Sequence, residues 1–290
     1  MDYQATTIAF PRQTARSTDS WRDRSPAENS RPIVTVLTPS LNGGEYLGAT
    51  LRSVLSQTGN FGLQWIVIDG GSSDGTLSLL KSIDDPRVKW ISEVDNGQAA
   101  AINKGLAMAE GQIIAWLNCD DLYLPGALQA AVTAFEENST AQWLVGKCGI
   151  VNEAGLPIRL SVTRYKNRLL QGYSFRRLLQ INMINQPAVF WRRTFGHSCG
   201  PLDESLHYTM DYDLWLRMAR RCPPLILDRV LAEFRVHDGS KSRKGCREQF
   251  DEGYRVASRY LGADRLSRCL HRLNVEKIVW GYRALRLIGR

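Results

Sequence analysis

From Ile33 to Leu117 short apolar runs alternate with segments of helical spacing, and this rhythm limits the folds open to the chain. Ile33–Thr38 (IVTVLT) is a β-branched run, and Glu45–Gln57 sets Leu47, Leu51, Val54 and Leu55 on one helical face. The pattern repeats with a strand at Leu63–Asp69 and a helix at Ser72–Ile83, where Asp74 reads as a cap. It repeats again with a strand at Arg87–Ser92 and a helix at Gly97–Ala109, then with the run Ile113–Leu117. Strands alternating with helices of this length predict an α/β fold, a mostly parallel sheet wrapped on both faces. Past Pro125 the rhythm loosens. Strands are expected at Trp143–Val151 and Ala188–Arg192, a helix within His207–Arg221, strands again after Leu225, and helix from Arg247 onward.

The 290 residues suffice for one large α/β domain with appendages. Residues 1–31 are polar and aperiodic and read as a mobile head, 32–245 as the domain, and 246–290 as a basic helical extension. A net charge of +8 favours anionic partners without choosing among them. The six cysteines show neither a CxxC pair nor zinc-like spacing, which points to reduced thiols in a cytoplasmic protein. No apolar run reaches the roughly 20 residues that span a bilayer.

Asp120 and Asp121 follow the run Ile113–Leu117 directly, and the helical pattern restarts at Pro125. Adjacent carboxylates at a strand-to-helix junction are costly unless a cation or polar ligand offsets them, and such junctions are where open α/β sheets bind ligands. A solvated turn in which an Asp caps the next helix is the plainer reading. After the first strand, Thr38, Pro39 and Ser40 lead into the small, polar LNGG loop, whose backbone amides could approach a nucleotide or only turn the chain. Asp69 ends the second strand before Gly70 and Gly71, either to bind or to order the Gly-rich turn. Asn96, Gly97, Gln98 and Asn103 open or follow a helix N-terminus, a place that favours anions.

Together Thr38–Thr58, Val67–Thr76 and Asp95–Asp121, with weaker pieces at MDYDLWLRM and FRVHDGSKS, resemble inverting nucleotide-sugar glycosyltransferases of family 2. The likeness covers roughly residues 32 to 245. It implies the GT-A fold, a Rossmann-like sheet flanked by helices. It implies transfer of a sugar from a nucleoside diphosphate sugar to a hydroxyl acceptor, with a divalent cation (Mn²⁺ or Mg²⁺) bound. By the same resemblance Asp69 accepts the imide N–H of uracil or thymine, which favours a UDP- or TDP-sugar. Asp120 contacts ribose or metal, Asp121 ligates the metal, and His237 contacts metal or diphosphate unless it is only a surface residue. Asp211 is the general base, with Asp213 as its competitor. Two departures stand out: Gly70 and Ile102 occupy positions where many relatives carry Asp and Arg.

The family commonly builds surface or extracellular polysaccharides, so the resemblance implies a glycan or lipid-linked acceptor at the cytoplasmic face of the inner membrane. Nucleic acid is not an expected partner. The segment from Arg265 carries seven Arg or Lys against one Glu, and either contacts a membrane peripherally or packs on its own domain. The chain lacks the QxxRW motif of processive relatives. The alternatives are a nucleotide-sugar pyrophosphorylase or nucleotidyltransferase, whose Gly-rich basic signature TPSLNGGEYL lacks, and a noncatalytic membrane-recruited binding protein.

Overall fold

A computed structural model describes residues 32–241, 246–261 and 265–287. The head at 1–31, Arg243 and Lys244, and the side chains from Ile278 onward lie outside the described residues.

The expected alternation is present: β1 (Ile33–Ser40), α1 (Gly44–Leu55), β2 (Gly62–Asp69), α2 (Thr76–Lys81), β3 (Val88–Ser92), α3 (Gln98–Met108) and β4 (Ile113–Trp116). β1 pairs in parallel with β2 on one side and β4 on the other, and β3 extends the β2 edge in parallel. After β4 the chain forms β5 (Leu122–Tyr123), α4 (Ala127–Glu137), β6 (Trp143–Val151), α5 (Leu160–Gln171), α6 (Phe175–Gln180), β7 (Val189–Arg192), α7 (Arg193–Cys199), α8 (Met210–Arg221) and β8 (Leu225–Arg235). The sheet order is β3-β2-β1-β4-β7-β6-β8-β5, with antiparallel pairing at β4–β7, β7–β6 and β8–β5. The sheet is thus parallel in its first half and mixed in its second. The acidic pair does not run straight into a helix: a two-residue strand follows it, and its pairing with β8 brings the sequence around Arg235 to the acidic turn.

Strand alternation builds two cores, one on each face. On β4, Ile113 and Ala115 pack with α1 and α4, while Ile114 and Trp116 face α3 and α8. Trp215 of α8 is fully buried, stacked 6.1 Å from Trp143 and edge-on 5.9 Å from Trp191, so it is core.

Two helices close the chain, α9 (Cys246–Leu261) and α10 (Arg265–Leu287). Val256, Ala257 and Leu261 of α9 belong to the same buried cluster as Met210 and Trp215, so this part of the C-terminal segment is built into the domain core. α10 is anchored to α6. Gln180 Nε2 donates to Ser267 Oγ at 3.1 Å, His271 Nδ1 lies 2.7 Å from the Leu179 carbonyl, and Asn274 Nδ2 donates to the Gln180 carbonyl at 3.2 Å. The first half of this helix therefore packs on its own domain. Among the described residues no helix is long and apolar enough to cross a membrane.

Candidate active site

The strand order reverses at β1, with β2 and β3 to one side and β4 to the other, and open α/β sheets bind ligands past the carboxyl ends of the strands at such a switch point. Two loops meet there. A Cβ on Gly43 would sit 2.7 Å from Cys119 Sγ, so only glycine lets the β1–α1 loop lie against the acidic turn. Thr50 Oγ1 donates to the carbonyls of Cys119 (2.8 Å) and Asp121 (2.9 Å), fixing that turn to α1. Burial pushes the Cys119 thiol up to about 12, so it is an inert packing group.

The Gly-rich turn after β2 is bound to the same loop. Asn42, at φ 52°, donates its N–H to Ser72 Oγ (2.7 Å), and its Oδ1 accepts from the Ser73 N–H (2.9 Å). Asp69 is fully buried and organises this turn, accepting from the N–H groups of Gly71 (3.2 Å) and Ser72 (3.0 Å), from Ser92 Oγ (2.7 Å) and from Ser72 Oγ. Its carboxylate faces inward. Thr38 is equally buried, accepting from Trp65 Nε1 at 2.9 Å, while Pro39 and Ser40 complete the buried end of β1. The N-cap of α2 is Gly75 rather than Asp74, which stands one residue earlier and accepts from the N–H groups of Thr76 (2.9 Å) and Gly44 (3.1 Å).

The two adjacent carboxylates have unlike surroundings. Asp121 is fully buried; its carboxylate accepts from the Arg235 N–H (2.9 Å) and from Asn118 Nδ2 (3.2 Å). Burial first, and the charge of Asp120 second, push its carboxyl well above the ordinary carboxylate range. Asp120 points outward, with 22% of its side chain exposed, and its Oδ2 lies 2.9 Å from His237 Nε2. Tyr46 lies tilted against the His237 ring, with 4.5 Å between ring centres, and the Arg235 guanidinium lies 5.3 Å from the centre of the same tyrosine. Arg235 Nε also donates to the Asp120 carbonyl at 2.9 Å, so this buried arginine braces both acidic residues.

A partly exposed carboxylate beside an imidazole is a donor set that fits Mn²⁺ or Mg²⁺. Among the described residues no group of three or more His, Cys, Asp or Glu could hold a metal. Asp120 and His237 would therefore bind a cation only jointly with oxygens of a ligand, as nucleotide-bound cations are held. Asp121 lies behind them, with its oxygens turned to Arg235 and Asn118. Of the two carboxylates, Asp120 is the one turned toward His237.

A chain of amides leads away from the pair. Asn118 Oδ1 accepts from Trp116 Nε1 and Gln98 Nε2, both at 2.8 Å, and Asn118 Nδ2 donates to Gln186 Oε1 at 3.1 Å. Gln186 Nε2 donates to the Trp116 carbonyl. Beside it, Asn185 Oδ1 accepts from Lys166 Nζ at 2.6 Å, and Gln98 Oε1 accepts from Lys241 Nζ at 3.0 Å. Gln98 is thus brought to the acidic turn. Asn96 is exposed just before Gly97, whose φ of 106° starts α3. Asn103 points elsewhere: its Nδ2 donates to the Leu202 carbonyl (3.0 Å) and Glu204 Oε1 (2.9 Å), and its Oδ1 accepts from the Leu202 N–H. It clamps a loop to α3.

Asp211 opens α8, half-buried, and burial raises its carboxyl to about 6. The charge of Lys166 opposes that rise and the charge of Glu252 adds to it. Asp211 Oδ1 accepts from the Tyr212 N–H at 2.7 Å. Asp213 is paired with Arg217 (2.9 Å) and Arg259 (3.4 Å) and is nearly inaccessible. Four contributors are absent from the sequence reading: Lys166, Gln186, Arg235 and Glu252. Only Arg235 had a local signal, its place two residues before His237.

The sequence model of glycosyl transferase family 2 matches residues 35–195. An uncharacterized glycosyltransferase of Rickettsia typhi is 29% identical over 213 residues, 71% of this chain and 65% of that protein. One from Mycobacterium tuberculosis is 28% identical over 207 residues, 71% and 76% of the two chains. The chain spans only 36% and 37% of the corresponding Rickettsia felis and Rickettsia conorii proteins. Among solved structures, S. aureus TarS in complex with UDP-GlcNAc is similar at a TM-score of 0.59 with 19% identity, over 80% of this chain and 67% of that one. The mannosyltransferase PcManGT from Pyrobaculum calidifontis, in complex with GDP-Man and Mn²⁺, gives 0.61 with 17% identity over 93% and 86%. At these identities the two structures speak to the fold.

Proposed function

This chain belongs to glycosyl transferase family 2 and has the GT-A fold, and on that premise we propose that it transfers one sugar, with inversion, from a nucleoside diphosphate sugar to a hydroxyl acceptor. The observation that carries the reading is the unlike setting of the carboxylates, with Asp121 buried behind the acidic turn. Asp120 stands outward beside His237, while Asp211, held near 6, opens the helix that follows.

In this reading Asp120 and His237 hold a divalent cation, which when bound would neutralise charge on the departing diphosphate. Gln98 and Lys241 lie beside them through Asn118 and can hold the diphosphate by hydrogen bond and charge. The acceptor hydroxyl gives its proton to Asp211 Oδ2, because Oδ1 is engaged by the Tyr212 N–H. A carboxyl near 6 is mostly ionised at neutral pH yet basic enough to assist that transfer. Asp121 and Arg235 keep the acidic turn rigid from behind. TarS and PcManGT are described with UDP-GlcNAc and GDP-Man, which supports a nucleotide-sugar donor for this chain. Because Asp69 faces into its own turn, the donor panel must span UDP-, TDP- and GDP-sugars. Surface or extracellular polysaccharide is the product class we propose.

The test is a thermal-shift panel of those sugars with and without Mn²⁺. NMR of the anomeric proton during turnover with the donor that binds then follows. A cation-dependent shift and an inverted product are expected. A product of retained configuration would overturn the mechanism, and pyrophosphate in place of nucleoside diphosphate would overturn the reaction class.

A further inference from the structure

The chain from Ala154 to Leu202 contains eight Arg or Lys and no Asp or Glu. Its centre is α5, a helix of about 18 Å by its rise per residue. Val162, Thr163, Lys166, Asn167 and Leu170 turn inward: Lys166 Nζ bonds Asn185, Asn167 Nδ2 bonds the Cys148 carbonyl, and Leu170 is core. The opposite face is exposed along its whole length and carries Leu160, Arg164, Tyr165 and Arg168. Leu160 and Tyr165 are each 52% exposed, and Leu156, in the turn before the helix, is 61% exposed.

We propose that this outer face of α5, with Leu156, docks on the surface of an anionic lipid bilayer. Arginines interleaved with leucine and tyrosine suit a layer of negative headgroups with an apolar phase behind it. Phosphate charge alone would leave Leu156, Leu160 and Tyr165 without a use. A second copy of the chain would set Arg164 and Arg168 against the same arginines, so charge disfavours a symmetric dimer through this face. Acids stand at its ends: Glu153 precedes the turn, and Asp228 accepts from Gln171 Nε2 at 3.3 Å while paired with Lys147.

The experiment is co-sedimentation of the full chain with vesicles of phosphatidylcholine alone or mixed with phosphatidylglycerol, with neither donor nor acceptor present. Variants R164E/R168E and L160S/Y165S are compared, with the melting temperature of each as a folding control. L156S provides a lighter third change should either double variant fail to fold. The wild type should bind phosphatidylglycerol vesicles and release them at high salt. Each arginine near the surface is worth on the order of fivefold in partitioning, so R164E/R168E should bind at least about twentyfold more weakly. L160S/Y165S should also lose binding at an unchanged melting temperature. A wild type that stays in the supernatant overturns the proposal. So does undiminished binding by folded variants, which would move the contact to the basic C-terminal helix. A dimer in sedimentation velocity that R164E/R168E dissolves would overturn it in favour of self-association. Nucleoside diphosphate release without vesicles should be equal in all of these proteins, which keeps a failure of the docking face separate from a failure of the transferase reading.

Discussion

The carboxylate of Glu252 accepts both the N–H (2.7 Å) and the hydroxyl (2.8 Å) of Thr209, the residue just before the helix that Asp211 opens. The same carboxylate takes the N–H groups of His207 (3.1 Å) and Tyr208 (2.8 Å), so one side chain of α9 gathers three successive donors of the α8 approach. Glu252 is only 5% exposed. Its removal would leave those N–H groups without their acceptor, at a cost of about 2–3 kcal/mol for hydrogen bonds to a charged group. Glu252→Ala should therefore lower the melting temperature and lower kcat, with less effect on donor binding. An unchanged melting temperature would show that the clamp is dispensable. Burial works to raise this carboxyl, but the hydrogen bonds from Tyr208 and Thr209 outweigh it and hold the group below its ordinary value. A depressed carboxyl contributes stability that is present above its unfolded value near 4.3 and is lost as pH falls through the lower folded value. Acid melts of wild type and Glu252→Gln should diverge above that window and converge below it.

Asp211→Asn should reduce transfer by about 10²- to 10⁴-fold, the usual worth of a general base, while the donor-induced thermal shift survives. Because burial holds Asp211 near 6, the rate should fall about tenfold per pH unit below that value. The stability consequence has the opposite sign to that of Glu252. A carboxyl raised in the folded state gives stability that is complete below its unfolded value near 3.9 and is lost as pH rises through about 6. Asp211→Asn should accordingly melt no lower than wild type at neutral pH. Near-normal turnover would move the base elsewhere.

Lys166 lies inside α5 and its positive charge holds the Asp211 carboxyl down. Lys166→Met should shift the acid limb of the rate profile to higher pH, and Lys166→Arg should restore it. A lower rate with an unmoved limb would assign Lys166 a purely structural role through Asn185.

The elements that were legible in the sequence are those whose partners lie on the same segment. β1, β2 and β4 are rich in β-branched and apolar residues, and α1 and α3 start after small polar loops, so local spacing sufficed. α5 left no such mark, because Arg159 precedes it at φ 51° with no side-chain cap and its exposed face mixes Leu, Arg and Tyr. α6 had one sign, Ser174 accepting from the Arg177 N–H three residues on, within a stretch otherwise too short to read. In the site, the acidic pair announces itself because two charges stand where an apolar run ends. Which of the two faces outward depends on Arg235, 115 residues from Asp120, and the approach to Asp211 depends on Glu252, 43 residues from Thr209. Contacts at such separations are set by strand order and helix packing, which no local pattern encodes.

The two members of the acidic pair should respond differently to the same substitution. Asp120 stands beside His237 and partly in solvent, so Asp120→Asn and His237→Ala should keep the wild-type melting temperature but abolish the extra thermal shift that Mn²⁺ adds to a nucleoside diphosphate. Asp121→Asn should act on the fold. The oxygen of the new amide can accept from the Arg235 N–H, which sets its NH2 against Asn118 Nδ2, or from Asn118 Nδ2, which sets its NH2 against the Arg235 N–H, but it cannot serve both as the carboxylate does. Turning Asn118 to relieve that clash would break its bonds to Trp116 Nε1 and Gln98 Nε2. About 1–3 kcal/mol of stability should be lost, since a buried polar group is left without a partner. If Asp121→Asn instead removes the cation response at full stability and Asp120→Asn retains it, the metal belongs to Asp121, and the inward-turned carboxylate must rotate when the nucleotide binds.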